Sequence, residues 1–265
     1  MTTVKVEDIS GIYQPKSDSH KGQNGRMLLI GGSALFHSAS LWALTVASRI
    51  VDLVHFASVP ENNEIVANSK DEFRNGIVIS RKDIDSYILE DDCILIGPGM
   101  TRDDETRDLT NMLFKKYPDK QWVVDAGALQ MMDVSLIPKH AILTPHQGEY
   151  ERVFGTEDIT KAAKRHSCII LLKGQTDTIS DGETTQTVEG GNAGMTKGGT
   201  GDVLAGLVAA LACNNNPWLA TIAGSYINKK AGDSLYKTVG PYFNSTDLTN
   251  EIPKVMNEII IAPHP

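Results

Sequence analysis

CILIGPGMTRDDETRDLTNMLFKKYPDKQWVVDAGAL, residues 93–129, holds a whole strand–helix–strand unit and decides the fold. CILI is apolar throughout 93–96 and gives way to the turn Gly97-Pro98-Gly99. A stretch of helical spacing over 103–117 follows, opened by the acidic run Asp103-Asp104-Glu105, which suits the positive end of a helix. The next apolar run, 122–125, ends at Asp125. Strands that are apolar on both faces and joined through helices belong to a parallel sheet covered on two sides.

The same alternation extends outward in both directions. Apolar runs at 27–30, 53–57, 141–143 and 168–172 read as further strands, and 40–51 as another crossover helix. At 176–188 the pattern changes to two β-rich segments around Asp181-Gly182-Glu183, which predicts a hairpin at an antiparallel edge. Beyond a glycine-rich stretch at 190–201, residues 203–213, 218–236 and 245–261 read as helices. With no repeat, low-complexity tract or linker, residues 1–265 are expected to form one α/β domain.

Composition narrows the function. The chain has 25 Lys+Arg against 33 Asp+Glu, a net charge of −8, so it has no global basic field to hold a polyanion, and nucleic acid is not expected as a partner. Neither the N-terminal MTTVKVEDISGIYQPK nor any later run resembles a leader or a membrane span, so no membrane partner is expected. Cys93, Cys168 and Cys213 include no CxxC pair, and the first two open apolar runs, which points to buried thiols in a reducing cytoplasm.

In an open parallel sheet, ligands bind at the carboxyl ends of the strands. The turns placed there are Gly31-Gly32-Ser33, Gly97-Pro98-Gly99, Asp125-Ala126-Gly127, Thr144 to Glu149, and Lys173-Gly174. A dinucleotide fingerprint fails because Arg102 stands where its last glycine belongs, and GxxxxGK[ST] does not occur. The strongest local signal is GGTGDVLAG at 198–206, where glycines free the backbone just before a helix-forming segment. Such a loop aims amide groups and the positive helix end at one point, making an anion site, with Asp202 in the first turn as general base or as helix cap. Spacing leaves two readings open for several neighbours. His146 reads as a capping or a substrate-side histidine, Glu149 as a favourable helix start, and Lys173 as a surface lysine or a nucleotide contact. Asn192 and Lys197 either meet phosphates or shape their loop.

These motifs, taken in order, resemble the ADP- or ATP-dependent NAD(P)H-hydrate dehydratases of the ribokinase-like superfamily. The resemblance rests on GGSALFHSAS (31–40), IGPGM (96–100), VVDAGAL (123–129), LTPHQGE (143–149), LLKG (171–174) and NAGMTKGGTGDVLAG (192–206). It continues into AGDSLY (231–236) and STDLTNEIPKVM (245–256). It implies a ribokinase-like three-layer α/β fold with a central, mostly parallel sheet flanked by helices. It also implies a repair enzyme that returns the S-form of NADH or NADPH hydrate to the working cofactor. ADP or ATP phosphorylates the added hydroxyl, Mg²⁺ assists, and phosphate is then eliminated.

Carried onto this chain, the resemblance puts Asp202 in the role of base, aided by the amides of Gly199 to Gly201. It assigns Ala39, Gly99, His146 and Asp202 to the hydrate. Lys173, Gly174, Gln175, Thr176, Asp177 and Gly201 go to the nucleotide, and Asn192, Lys197, Gly199 and Thr200 are further phosphate contacts; no metal ligand is assigned. Homo-oligomers, often tetramers, are implied as well. The chain departs from the family pattern at Phe36 to Ser40, where YxGAP is common, at Gly127, where an acid is frequent, and at Gln147, which replaces a proline. The turn around Gly127 therefore receives no catalytic role. No counterpart of the often-fused epimerase domain is read, so any hydrate epimerase is expected to be a separate protein. The rival reading is a ribokinase-like kinase of a hydroxyethylthiazole- or pyridoxal-like alcohol, and the TPHQGE element favours the dehydratase.

Overall fold

Residues 1–69 and 75–261 are described by a computed structural model. Its strands are β1 (Thr2–Thr3), β2 (Arg26–Ile30), β3 (Leu53–Ser58), β4 (Ile77–Ser80), β5 (Cys93–Ile96), β6 (Gln121–Val124), β7 (Ile142–Leu143), β8 (Ile169–Leu172), β9 (Asp177–Ser180) and β10 (Thr185–Val188). They form one sheet in the order β1-β10-β9-β8-β7-β6-β5-β2-β3-β4. β9 runs antiparallel to both β8 and β10, and the remaining pairings are parallel.

All six apolar runs are strands, and the hairpin at 176–188 forms. The hairpin does not end the sheet, however, because Thr2 and Thr3 add in parallel beside Gln186 and Thr187. This outer strand is two exposed threonines and carries no apolar signature. β4 went unpredicted for a related reason. As the other edge it is only partly buried, and its apolar residues are confined to Ile77-Val78-Ile79.

Helices cover both faces. On one lie α1 (His37–Ala47), α2 (Pro60–Asn68), α8 (Thr200–Ala212), α9 (Pro217–Val239) and α10 (Ser245–Met256). On the other lie α3 (Ile84–Glu90), α4 (Asp104–Lys116), α5 (Ala126–Met131), α6 (Gln147–Phe154) and α7 (Ile159–His166). Within each strand, alternate residues serve the two cores: Met27 and Leu29 face the first, Leu28 and Ile30 the second. Trp122 is fully buried, edge-on to Phe114 at 5.1 Å, and Cys93 and Cys168 are buried as read. The helix read at 245–261 ends instead at Met256, followed by a wider turn at Asn257–Ile261.

α8 explains its own composition. Every residue from Val203 to Ala212 is buried, because the helix is enclosed by the sheet, α1, α9 and α10. A helix with no wet face has no amphipathic stripe, and VLAGLVAALA is apolar all round. Among the described residues no helix is long and apolar enough to cross a membrane.

The chain builds outward from β2 in one direction through β3 and β4, and in the other from β5 through β8. The strand order reverses between β2 and β5, so a crevice opens at their carboxyl ends. The turns singled out from the sequence all lie on this rim.

Candidate active site

The turns on the rim are locked into one another. Gly97 has φ +121°, and a Cβ there would sit 1.8 Å from the carbonyl oxygen of Asp125, so only glycine lets the β5 and β6 turns meet. The next glycine, Gly99, lies against the carbonyl of Phe36 and the methyl of Ala39, which brings two of the four hydrate-assigned residues, Ala39 and Gly99, together on one wall.

Asp125 stands behind that wall, 2% exposed. Its Oδ1 accepts hydrogen bonds from Thr144 Oγ1 at 2.9 Å and from Lys173 Nζ at 3.0 Å. Burial works against the Lys173 charge, but the carboxylates of Asp125 and Glu149 outweigh it and hold the ammonium above its ordinary pKa. The sequence reading placed this turn on the rim but gave it no catalytic role. Asp125 is nonetheless the residue that fixes Lys173.

Asp202 completes the group from the first turn of α8. The residue capping the helix is Gly199, whose φ of +96° and close contact with the Trp42 ring and Ser245 Oγ press the loop onto α1 and α10. The Gly201 amide, next in line, receives no backbone acceptor among the described residues, as befits a helix start that faces a ligand. The Asp202 carboxyl is pushed up to about 7, first by burial, then by repulsion from Asp125, with Lys173 pulling the other way and Glu149 adding to the rise. A carboxylate that takes up a proton near neutrality is suited to act as a general base.

His146 and Glu149 form a reciprocal cap on α6. Nδ1 of His146 accepts from the amides of Gly148 at 3.1 Å and Glu149 at 3.3 Å, while Glu149 Oε2 accepts from the His146 amide at 2.9 Å. An accepting Nδ1 leaves the ring proton on Nε2. The imidazole, 61% exposed, caps the helix and also lines the neighbouring cavity. The second oxygen of Glu149 accepts from Gln130 at 3.0 Å, and this buried carboxylate is a structural member of the rim.

That cavity encloses about 700 Å³, within the range of sites for small ligands. Of the residues assigned to the nucleotide, Lys173, Gly174, Gln175, Asp177 and Gly201 line it, and Thr176 does not. The Asp177 carboxylate is already engaged: it accepts from the Gly174 amide at 2.9 Å and Ser225 Oγ at 2.7 Å, and pairs with Lys229 Nζ at 3.2 Å. Lys229 in turn donates to the carbonyls of Gly174, Gln175 and Gly190. This pair was not read from the sequence; it ties the β8–β9 turn to the glycine-rich loop.

Asn192 and Thr200 also line the cavity, but both are already hydrogen-bonded, Asn192 donating to the Gly232 carbonyl of α9 and Thr200 to that of Met195 in the loop. Lys197 turns away, donating to the Pro241 carbonyl and lying 5.3 Å over the Phe243 ring.

The layered sheet with a glycine-started helix at its crevice is the ribokinase-like fold. A ribokinase-like superfamily protein from Enterococcus faecalis superposes with a TM-score of 0.87, covering 98% of this chain and 96% of that one at 24% identity. The ADP/ATP-dependent NAD(P)H-hydrate dehydratase from Bacillus subtilis, co-crystallised with ATP/Mg²⁺, does so with a TM-score of 0.86, covering 97% and 98% at 23% identity. Within that fold, residues 27–254 match the NAD(P)H-hydrate dehydratase family. The ADP-dependent (S)-NAD(P)H-hydrate dehydratase of Nitrosopumilus maritimus is 35% identical over 97% of this chain and 96% of its own length. The chain belongs to the NAD(P)H-hydrate dehydratase family. It spans about half the length of the bifunctional NAD(P)H-hydrate repair enzymes of Archaeoglobus fulgidus (54%) and Methanocaldococcus jannaschii (51%), to which it is 33% and 37% identical.

Proposed function

We propose that this protein dehydrates the S-form of NAD(P)H hydrate to NAD(P)H at the expense of ADP or ATP, as a carbon–oxygen lyase. The observation that carries the reading is the cluster around Asp202, a carboxyl pushed up to about 7 by burial and by Asp125, close to Lys173 and next in the chain to Gly201, both of which line the cavity. Hydroxide is a poor leaving group and phosphate a good one. Asp202 takes the proton of the added hydroxyl as its oxygen attacks the terminal phosphoryl group, and the nucleotide leaves one phosphate shorter. Lys173 and the amides at the start of α8 offset the charge on the transferring group. The carbon–oxygen bond then breaks, the neighbouring carbon gives up a proton, and the double bond returns as phosphate departs.

When bound, Mg²⁺ would supply further charge neutralisation. Asp125 and Glu149 are held by Lys173, Thr144 and Gln130, so the cation is proposed to ride largely on the nucleotide's phosphates. The reading also takes residues 1–265 as one domain of a cytoplasmic homo-oligomer whose partners are small molecules. Three free cysteines and the net charge of −8 support that setting.

The test uses purified protein, NADH hydrate, Mg²⁺ and either nucleotide, following NADH absorbance and phosphate release together. Equal yields support the reading. Nucleotide consumption on another alcohol, without NADH, would replace it with the kinase reading. Because the base must be ionised, kcat/KM is expected to rise with pH along an acid limb centred near 7 and to level off above it. A flat profile between pH 5 and 8 would remove Asp202 from the role.

A further inference from the structure

Behind the wall formed by Ala39 and Gly99 lies a fully buried amide. Asn62, in the first turn of α2, is 0% exposed. Its Nδ2 donates to Ser58 Oγ at the end of β3, at 2.9 Å, and to Ser40 Oγ on α1, at 3.2 Å. Ser40 in turn donates to the carbonyl of His37, the first residue of α1, at 3.1 Å. The Oδ1 of Asn62 finds no hydrogen bond among the described residues. A buried amide with an orphaned acceptor costs stability that an apolar side chain would not, so its polarity points to a task other than holding the fold together.

What the amide braces is the first glycine turn. Gly32 has φ +75°, and a Cβ there would stand 2.1 Å from Asn62 Nδ2, 2.7 Å from Ser58 Oγ and 2.8 Å from Ser40 Oγ. The three polar groups therefore make a floor on which only glycine fits. From that floor the Gly32 amide donates to the Pro98 carbonyl at 2.6 Å. A Cβ on Gly99, the next residue, would lie 3.1 Å from Gly32 Cα and 3.2 Å from Ala39 Cβ. Asn62 thus reaches both halves of the wall, Gly99 through Gly32, and Ala39 through Ser40 and the first turn of α1. Lys173 and Gly201, across the crevice, take no part in these contacts.

We propose that Asn62 is a positioning residue for the hydrate, holding the Gly32 turn so that Gly99 and Ala39 stand where the hydrate binds. The inference rests on the dehydratase reading above and on its assignment of Ala39 and Gly99 to the hydrate. It is tested by measuring KM for NADH hydrate and for ADP, kcat and Tm in the wild type, Asn62→Ala, Ser40→Ala and the double variant. Asn62→Ala is expected to raise KM for the hydrate about tenfold, with kcat and KM for ADP within about twofold of wild type. Ser40→Ala breaks one arm of the brace and should raise KM for the hydrate about threefold, and the double variant should be no worse than Asn62→Ala, because both residues act through one network. A merely structural role would lower Tm and the active fraction and leave both KM values where they were, and that outcome overturns the proposal. So does an equal rise in both KM values. Should Asn62→Ala fail to fold, Ser40→Ala decides the matter, and a KM for the hydrate equal to wild type overturns the proposal. A wild type that turns over the hydrate beside variants with unchanged KM removes only the role of Asn62. A wild type that leaves the hydrate untouched removes the dehydratase reading and this inference with it.

Discussion

Asp202→Asn is expected to cut turnover of the hydrate by about three orders of magnitude, the worth of a well-placed general base, while making the folded protein more stable at pH 8. The two effects share one cause. In the unfolded chain Asp202 ionises at its ordinary value of 3.8, but in the folded chain burial and the nearby Asp125 raise this to about 7. The stability that the protonated group contributes is complete below 3.8 and is lost as pH rises through about 7, so at pH 8 the native state carries an unfavourable charge. Asparagine has the shape of the protonated acid and no charge to desolvate. A gain on the order of 2 kcal/mol, or roughly 5 °C in Tm, is expected at pH 8 and should shrink as the pH falls towards 5. Thermal melts of both proteins across that range, beside the coupled NADH and phosphate assay, check it. Near-normal dehydration by the variant would remove the base, and a lower Tm at pH 8 would contradict the electrostatics.

How much of this was legible depended on whether the signal was local. The central strands are buried on both faces, so their apolar runs stood out. At the edges, β1 is two exposed threonines with no such trace, and β4, short and partly wet, offers only Ile77-Val78-Ile79. The helices α2, α3, α5, α6 and α7 have at most nine residues each, too few turns for a period to declare itself. The loop at 198–206 could be read because a left-handed Gly199 and an exposed first-turn amide demand glycines in a row. His146 and Glu149 fitted a capping box that four consecutive residues suffice to build.

Other members of the site depend on distant partners. Asp125 meets Lys173 across 48 residues of chain, and Asp177 meets Ser225 across another 48. Asn228 and Lys229 lie in mid-helix without a motif, and only the packing of α9 beside the β8–β9 turn gives them a part in the cavity.

Lys229→Met is expected to show how far that hidden part reaches, destabilising the protein by about 3–5 kcal/mol, the usual cost of leaving one member of a buried ion pair alone. Both side chains of the Asp177–Lys229 pair are 6% exposed, so water offers the abandoned carboxylate little relief. Three carbonyls, those of Gly174, Gln175 and Gly190, lose their donor as well. A Tm lower by roughly 6–15 °C follows from that cost. The double variant Asp177→Asn/Lys229→Met should recover part of the loss, because asparagine still accepts from the Gly174 amide and removes the unpaired charge. Affinity for ADP should fall in the single variant beyond what stability explains, since Lys229 joins the Gly174–Gln175 turn to the Gly190 loop and both line the cavity. Thermal melts and nucleotide titrations of the three proteins separate these effects. A single variant within 1 kcal/mol of wild type would mean that water or a shifted backbone takes over the ammonium's bonds, and the cavity would then owe its shape to the glycine-rich loop alone.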